Sequence, residues 1–547
     1  MAAGLSAQLI ESLLTPGRIA GLLFLFVLSS FIVDFTSKPR YGKSLPLVGS
    51  GDGVVGTVKN WIFYMPRFNI WVAEGYQKYT KHGRAYVTPS SPSRPNEIVI
   101  PQSHVNWMLE LPDRVLSTKE AHQDVLFGDY QFLGTDDQFP IKTIHKHLAR
   151  NIISLIPGVQ EEIHAAIDAA FGTDKENWKT FNLWETWLKI IPRVTNRILV
   201  GANLCRNEEF LQSQVAFADD IVRNSFILCM FPRIFHPLVA PLIVLSNRYH
   251  WHKGHKTAQP TIAKRLHDMA RKDSGDPAYQ DWQAPEDMLT WLIRQAKIEG
   301  LHDELTSQQL SKRLLPVEFA AIHTTVITLH HLFLDLLSAD PSLGYLETIH
   351  EETSQAYRSA NEQWTKESLM NLHRTDSAIK ESMRLSNFAT ALTHRKVIAP
   401  EGITHPNEGW HAPYGAVLMI DLAGTHHDGD IYENPNQYDA FRFARQREEL
   451  QKKVASKVDG DHQKEEDVLK MKRLGMVTTS GEYLPFSHGR HACPGRFFVA
   501  HELKITLAYL LDNYEIKPIK ERPKPMWLGA TIIPPVDTTI EVRRRRR

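Results

Sequence analysis

The segment Phe486-Ser487-His488-Gly489-Arg490-His491-Ala492-Cys493-Pro494-Gly495-Arg496 constrains this chain more tightly than any other. Glycines at 489 and 495 allow a turn in which the backbone approaches a ligand closely. A helix beginning near Pro494 would point its N-terminal dipole and free N–H groups at Cys493 and favour negative charge on sulfur. Arg490, His491 and Arg496 make the surroundings electropositive. Any fold containing this segment must hold one thiolate, a tight loop and a helix start in a fixed relation. The only other cysteines, Cys205 and Cys229, complete no short spacing, so the chain supports neither a disulfide framework nor a four-cysteine zinc site. They read as small buried hydrophobes in a reducing compartment. A lone thiolate suits the single axial position of a haem iron, where electron donation from sulfur favours O–O cleavage.

Around that loop the chain has the composition of a folded, mostly soluble body, with 42% hydrophobic and 23% charged residues. Lys and Arg total 63 against 62 Asp and Glu, and five of the positive charges lie in the run Arg543–Arg547, so the body itself is slightly acidic. That balance gives no general attraction for nucleic acid. The Arg run reads as a solvated basic end open to anionic lipid. At the other terminus Ile19–Val33 is uncharged and apolar character resumes at Phe35, about 17 residues against the roughly 20 of a spanning helix. No small-residue cleavage site follows, which favours a retained anchor over a signal peptide. Arg18 precedes the stretch while Lys38, Arg40 and Lys43 follow it, so a single-pass anchor would leave the body cytosolic. The expected organisation is an anchor over 1–36, a Pro/Gly hinge over 37–60 and one domain over 61–547.

Helical periodicity dominates from about residue 65, with strand-like runs at Glu97–Ile100 and Ala416–Ile420. The expected class is mainly α with small β-sheets. Phe226–Leu245 is apolar but interrupted by Pro232, Pro237 and Pro241, so it is either buried core or a loop dipping into the bilayer beside the anchor. Glu448–Lys472 is a charged run expected to form a solvated helical insertion. Thr306 with Gln309 predicts the start of a helix whose apolar spacing persists to Asp340-Pro341, about 33 residues or ~50 Å. At its middle lies Ala320-Ala321-Ile322-His323-Thr324-Thr325, where small residues would admit a large flat group. The pairs His330-His331 and His426-His427 read as surface or packing residues, and His501-Glu502 lacks the second histidine of a zinc hydrolase.

Segment 486–496 resembles the haem-binding loop of the cytochrome P450 superfamily, F-x-x-G-x-R-x-C-x-G, through Phe486, Gly489, Cys493 and Gly495. The string G-R-H-A-C-P-G-R is similar to that of fungal members of secondary metabolism. The resemblance implies that Cys493 ligates the iron of haem b (iron protoporphyrin IX). It implies a propionate contact from Arg490 or His491, since His491 occupies the usual Arg position, and another from Arg395. Glu381-Ser382-Met383-Arg384 matches the family's E-x-x-R, a spacing that puts both charges on one helix face. Phe441-Arg442-Phe443 resembles the later R-F element, which implies Arg442 as third member of a structural Glu-Arg-Arg cluster. Ala320–Thr325 resembles [A/G]-G-x-[D/E]-T-[T/S], with Thr324 and Thr325 retained, Ala321 for Gly and His323 for the acid. The acid-alcohol pair delivers protons to bound dioxygen, so His323 is either a relay replacing the carboxylate or a packed histidine. His147 and Arg150 fall where a propionate-binding helix is implied, without its W-x-x-x-R spacing.

The implied fold is that of cytochrome P450 behind one N-terminal transmembrane helix at the endoplasmic reticulum, facing the cytosol. The implied activity is that of a haem-thiolate monooxygenase acting on an apolar small molecule, similar to fungal terpenoid and gibberellin-type oxidases. The chain has no Rossmann or flavin fingerprint. NADPH is therefore expected to act indirectly, through NADPH-cytochrome P450 reductase with cytochrome b5 as a second donor, docking near Arg490 and Arg496. Residues 226–245, Leu111–Ile141 and Trp527–Pro535 are expected to line the substrate pocket. Alternatives are a haem-thiolate isomerase, dehydratase or peroxide-using enzyme, motivated by His323, and a non-enzymatic sterol or lipid carrier.

Overall fold

The computed structural model describes residues 15–135, 137–456 and 462–546; residues 1–14 of the expected anchor, 457–461 of the charged run and Arg547 lie outside them. Helices carry most of the chain. Those that position the site are α1 (Pro16–Ser37), α2 (Val54–Lys78), α3 (Phe139–Phe171), α4 (Leu183–Leu199), α5 (Glu208–Leu228), α6 (Leu245–Asp273), α7 (Ser307–Ser338), α8 (His373–Leu385) and α9 (Arg496–Asn513). Because α2 begins at Val54, residues 54–60 of the Pro/Gly stretch are helical.

Between Leu310 and Leu337, α7 is buried on several faces, the pattern of a helix enclosed by its neighbours. Thr306 caps it, its hydroxyl accepting the Gln309 N–H at 3.1 Å, and the chain turns extended at Ala339. Its 32 residues give about 48 Å, enough to cross the body. Helices α3, α4, α5, α6, α8 and α9 all pack against it. The main core joins these helices, with Trp187 of α4 edge-on to Phe333 of α7 at 5.0 Å between centroids.

A five-stranded sheet flanks the helices in the order Tyr86–Thr88, Glu97–Ile100, Val417–Asp421, Ala391–Val397, Leu116–Ser117. Glu97–Ile100 pairs in parallel with Val417–Asp421, and the other pairs are antiparallel. Both strands of the parallel pair are buried at every position, which explains why they read as continuous runs rather than alternating ones. The register of Ala391–Val397 shifts between Leu392 and Arg395, with Thr393 at φ 62°. That bulge re-aims Arg395.

The C-terminal arginines are not a loose basic end. Thr539–Arg544 is the middle strand of a three-stranded sheet, between Lys179–Asn182 and Tyr514–Ile516. Arg543 meets Glu515 at 2.5 Å, Arg544 pairs with Asp168, and Arg545 donates to the Leu511 carbonyl at 2.9 Å. Strand pairing fixes the backbone, and acids on neighbouring elements absorb the charge. The described residues of the charged run 448–472 fall in two helices, Arg442–Ala455, buried only in its first turn, and the largely exposed His462–Arg473.

α1 is long and apolar enough to span a membrane, and Leu22, Leu23, Phe24 and Leu25 are exposed. Ser29 donates to the Phe26 carbonyl, Thr36 to that of Ile32 and Ser37 to that of Val33, whereas the Ser30 hydroxyl is buried without a hydrogen-bond partner. Phe26 packs against Phe231 and Phe235, at 5.8 and 4.6 Å between ring centroids. The segment 226–245 therefore packs on α1 through Phe231 and Phe235, while its Leu228, Ala240 and Val244 are buried. In its helix His236–Ile243 only His236 and Ala240 are buried, while Met230, Ile234, Leu238 and Leu242 are exposed.

Candidate active site

The Cys493 loop is closed by its own backbone. The Cys493 N–H donates to the Phe486 carbonyl at 2.9 Å, and Phe486 is buried in the main core. Gly489, at φ 73°, starts a short 3₁₀ turn over Gly489–His491, a backbone conformation that glycine adopts without strain. Ser487, at φ 57°, and Thr393, in the strand bulge, bring their hydroxyls within 3.2 Å. The loop and the strand that carries Arg395 are thus joined directly.

Helix α9 begins three residues after Cys493, with Gly495 as its N-cap. Burial pushes the Cys493 thiol up, while the Gly495 and Arg496 N–H groups and the Arg496 charge pull it back. Arg496 also donates to the Cys493 carbonyl at 2.7 Å. A Cβ on Gly495 would sit 3.8 Å from the sulfur. On balance the thiol of this half-buried sulfur stays raised, with the helix N–H groups and Arg496 placed to favour the thiolate.

A haem carries two carboxylates, and Arg395 suits one of them. It is buried, its Nη1 donates to the His394 carbonyl at 2.9 Å, and its Nη2 has no partner. Burial holds this guanidinium down at about 10. A buried cation with a free donor asks for an anion. His122, on the helix Thr118–Leu126, is a neighbour that the sequence did not single out. Burial and then the charges of His394, Arg395 and His491 push it down to about 4, although its ring retains accessible surface. The residues present therefore fit a haem: one sulfur, one orphaned guanidinium and a neutral imidazole beside it.

Other expected contacts point elsewhere. Arg490 is exposed and donates to the Leu111 carbonyl at 3.1 Å. His491 Nε2 lies 2.7 Å from Asp113. Both side chains tie the loop to the segment after Val105–Glu110, beside an open cleft of about 410 Å³ lined by Asn106, Leu109, Glu110, His488, Gly489 and Arg490. His147 stacks on Trp291 at 5.9 Å, and Arg150 is exposed.

Behind the loop, Glu381, Arg384 and Arg442 meet as the motifs imply. Arg384 Nε and Nη2 donate to Glu381 at 2.9 and 2.8 Å, and Arg442 Nε donates to the same carboxylate at 3.0 Å. Glu381 and Arg384 are fully buried, with Arg442 close to it. The remaining donors are used: Arg384 Nη1 reaches the His426 and Pro435 carbonyls, and Arg442 Nη1 the Glu433 carbonyl. His426 is the link that sequence reasoning missed. Its Nδ1–H donates to the Arg384 carbonyl at 3.1 Å and its Nε2 accepts the Leu484 N–H at 3.1 Å. Burial holds it neutral at about 3, so one ring joins the ion cluster to the approach of the cysteine loop. His330 and His331 are likewise buried packing residues.

On α7, Ala320 is exposed and Ala321 and Thr324 are half-buried, between buried neighbours such as Ile322 and Thr325. Thr324 and Thr325 donate to the Ala320 and Ala321 carbonyls at 2.7 and 2.9 Å. His323 Nε2 lies 2.8 Å from Asp219 Oδ1. Phe319 is edge-on to Phe132 at 5.9 Å, in an apolar cluster with Phe217, Ile221 and Leu315. Elsewhere, one His and carboxylate group among the described residues has ligand atoms within 4.8 Å: His104, His405 and Glu408. His405 Nδ1 accepts the Glu408 N–H at 3.1 Å, which puts the ring proton on Nε2. His104 stacks on His405 at 4.1 Å between ring centroids, so the group closes the turn between Ile403–Thr404 and His411–Ala412.

A family model described as Cytochrome P450 matches residues 110–541. The chain is 31% identical over 527 residues to the cytochrome P450 monooxygenase okaG of Penicillium ochrochloron, covering 94% of this chain and 96% of that one. It is 30% identical over 520 residues to the cytochrome P450 monooxygenase astC of Aspergillus terreus, covering 92% and 93%. With the cytochrome P450 monooxygenase gloP of Glarea lozoyensis it shares 29% identity over 542 residues, covering 97% and 96%.

Proposed function

Since this chain belongs to the cytochrome P450 family and is a haem-dependent monooxygenase, we propose that it oxidises an apolar, terpenoid-type small molecule of fungal secondary metabolism. The observation that carries this reading is Cys493, held with its sulfur beside a helix N-terminus in a chain whose family match spans it. Haem bound there supplies the activation of dioxygen. The reaction consumes substrate, dioxygen, NADPH and a proton and yields hydroxylated product, water and NADP⁺.

The chain's own residues have four tasks in this reading. Cys493 donates the thiolate. Arg395 and His122 hold a propionate, and Arg490 and His491 set the loop against the segment at 110–113. Thr324 and His323 move protons beside the reacting centre. Phe132, Phe217 and Phe319 give that side of α7 apolar walls that exclude water and suit a hydrocarbon substrate. Electrons come from NADPH-cytochrome P450 reductase, with cytochrome b5 as a second donor, docking beside exposed Arg490.

The purified full-length protein, reconstituted with reductase and NADPH under ¹⁸O₂ and offered a panel of diterpene hydrocarbons and acids, tests the proposal. The expected product carries one ¹⁸O atom and forms only with reductase. Product formed from peroxide alone, or product without ¹⁸O, would move the protein to the peroxide-using or isomerase reading. A folded protein without haem would leave the carrier.

The membrane arrangement is also proposed. α1 spans the endoplasmic reticulum membrane with Lys38, Arg40 and Lys43 on the cytosolic side, and Met230, Ile234, Leu238 and Leu242 enter the same leaflet beside Phe26. Two leucines, 73% and 70% exposed, contribute about 3 kcal/mol on entering lipid. Deleting residues 1–37 is therefore expected to leave residual binding to phosphatidylcholine vesicles. Adding Leu238→Asp and Leu242→Asp should weaken it by roughly a hundredfold. Equal co-sedimentation of both proteins would contradict the second contact.

A further inference from the structure

His323 stands where the family pattern has an acid, and another helix brings an acid to it. Asp219, on α5, faces His323, on α7, with Oδ1 2.8 Å from Nε2. Beside a carboxylate acceptor, Nε2 carries the N–H. The other ring nitrogen, Nδ1, is buried without a hydrogen-bond partner. Solvent access is unequal along the pair: the Asp219 side chain is 60% exposed and that of His323 is 12%. The hydroxyls that follow are occupied within the helix, Thr324 on the Ala320 carbonyl, Thr325 on that of Ala321 and Thr328 on that of Thr324. Asp220, next to Asp219, is held by His250 at 2.6 Å and by Arg223. The pairing of Asp219 with His323 is therefore specific among the acids of that turn.

We propose that Asp219 is the positioning residue that makes His323 the proton-relay group of this monooxygenase, supplying from α5 the carboxylate that α7 lacks. The inference rests on the monooxygenase reading and deepens it. A carboxylate on Nε2 fixes the ring orientation and tautomer, which leaves the Nδ1 lone pair free to take a proton. In each transfer a proton from solvent water is taken up at Nδ1 and passed on from Nδ1 to the reacting centre, so that the ring returns to neutral while Nε2–H stays in place and Asp219 stays ionised. An ion pair with one exposed partner contributes little to folding, so substitutions at Asp219 should yield folded protein.

The test uses full-length holoenzyme labelled with ¹⁵N-histidine, in the diamagnetic ferrous carbon monoxide state, and compares wild type with Asp219→Asn and Asp219→Glu. In Asp219→Asn the ¹⁵N spectrum of His323 is expected to show both neutral tautomers, because an amide can offer Nε2 either its oxygen or its NH₂. Reductase-driven NADPH oxidation should fall about tenfold in parallel, at the modest end of what a relay contributes. Asp219→Glu should restore both. Should Asp219→Asn not accumulate with haem, Asp219→Ser carries the same expectation. A His323 tautomer unchanged in Asp219→Asn together with NADPH oxidation within twofold of wild type would overturn the assignment, as would a change in oxidation that Asp219→Glu fails to rescue. The thiolate-haem spectrum separates the two levels: its absence in wild type defeats the monooxygenase reading, and its presence in unaffected variants defeats only the role of Asp219.

Discussion

Cys493→Ala is expected to give a folded chain whose reduced, carbon monoxide-treated spectrum lacks the red-shifted Soret band of wild type, with reductase-driven turnover at background. The loop itself should survive, because its closure uses the Cys493 backbone N–H on the Phe486 carbonyl and the Gly489 turn rather than the sulfur. Only the thiolate is lost. Neither remaining cysteine is suited to replace it: burial pushes the thiols of Cys205 and Cys229 up to about 12 and about 11. Both also donate to carbonyls within their own turns, of Ala202 and Phe226. A red-shifted band that persisted in the variant would disprove the assignment of Cys493 as the ligand. Far-ultraviolet circular dichroism, expected to be unchanged, separates ligand loss from unfolding.

Arg384→Ala should do the opposite and damage the fold first. It leaves the fully buried Glu381 carboxylate with Arg442 as its only cation and strips donors from the His426 and Pro435 carbonyls. Removing one partner of a buried ion pair costs about 3–5 kcal/mol, a large share of the roughly 5–15 kcal/mol by which a domain is stable. The expected readouts are a denaturation midpoint well below that of wild type and little haem-loaded protein at growth temperature. Arg384→Lys should recover only part of the loss, since an ammonium cannot reproduce the two parallel bonds to Glu381 while reaching both carbonyls. Glu381→Ala combined with Arg384→Ala should cost less than the two single changes together, because the carboxylate that Arg384→Ala strands is then gone, although Arg442 keeps a buried charge without that partner. An unchanged midpoint in Arg384→Ala would contradict the structural role of the cluster.

The two predictions differ in how much of their basis could be read from the chain. The cysteine loop lies within eleven consecutive residues, and its closure from Phe486 to Cys493 is local, so spacing alone carries its form. The Thr306 cap and the three-residue spacing of Glu381 and Arg384 were legible for the same reason. His426 was not. Its role requires Arg384 and Leu484 to converge on one ring from either side, and an adjacent histidine pair looks the same whether it is solvated or fully enclosed.

The same limit governs the surface. An apolar stretch broken by prolines is consistent with core or with a membrane loop, and only the packing of Phe231 and Phe235 on Phe26 separates the two. Five arginines at a terminus look like a free basic tail until strand pairing between Lys179–Asn182 and Tyr514–Ile516 fixes the strand that brings Arg543 to Glu515 and Arg544 to Asp168.

By itself the sequence determined the cysteine loop, the turn and helix that flank it, the long helix with its small residues at 320 and 321, and the apolar N-terminal helix. These rest on backbone geometry and periodicity between residues a few positions apart. Only the tertiary structure decided which acid faces His323, which imidazole joins the ion cluster to the cysteine loop, and where the terminal arginines go. Those partners lie 104 positions apart for Asp219 and His323 and 376 for Asp168 and Arg544. Hydrogen bonds and ion pairs act over about 3 Å, so partners this distant along the chain exist only once packing has brought their elements together.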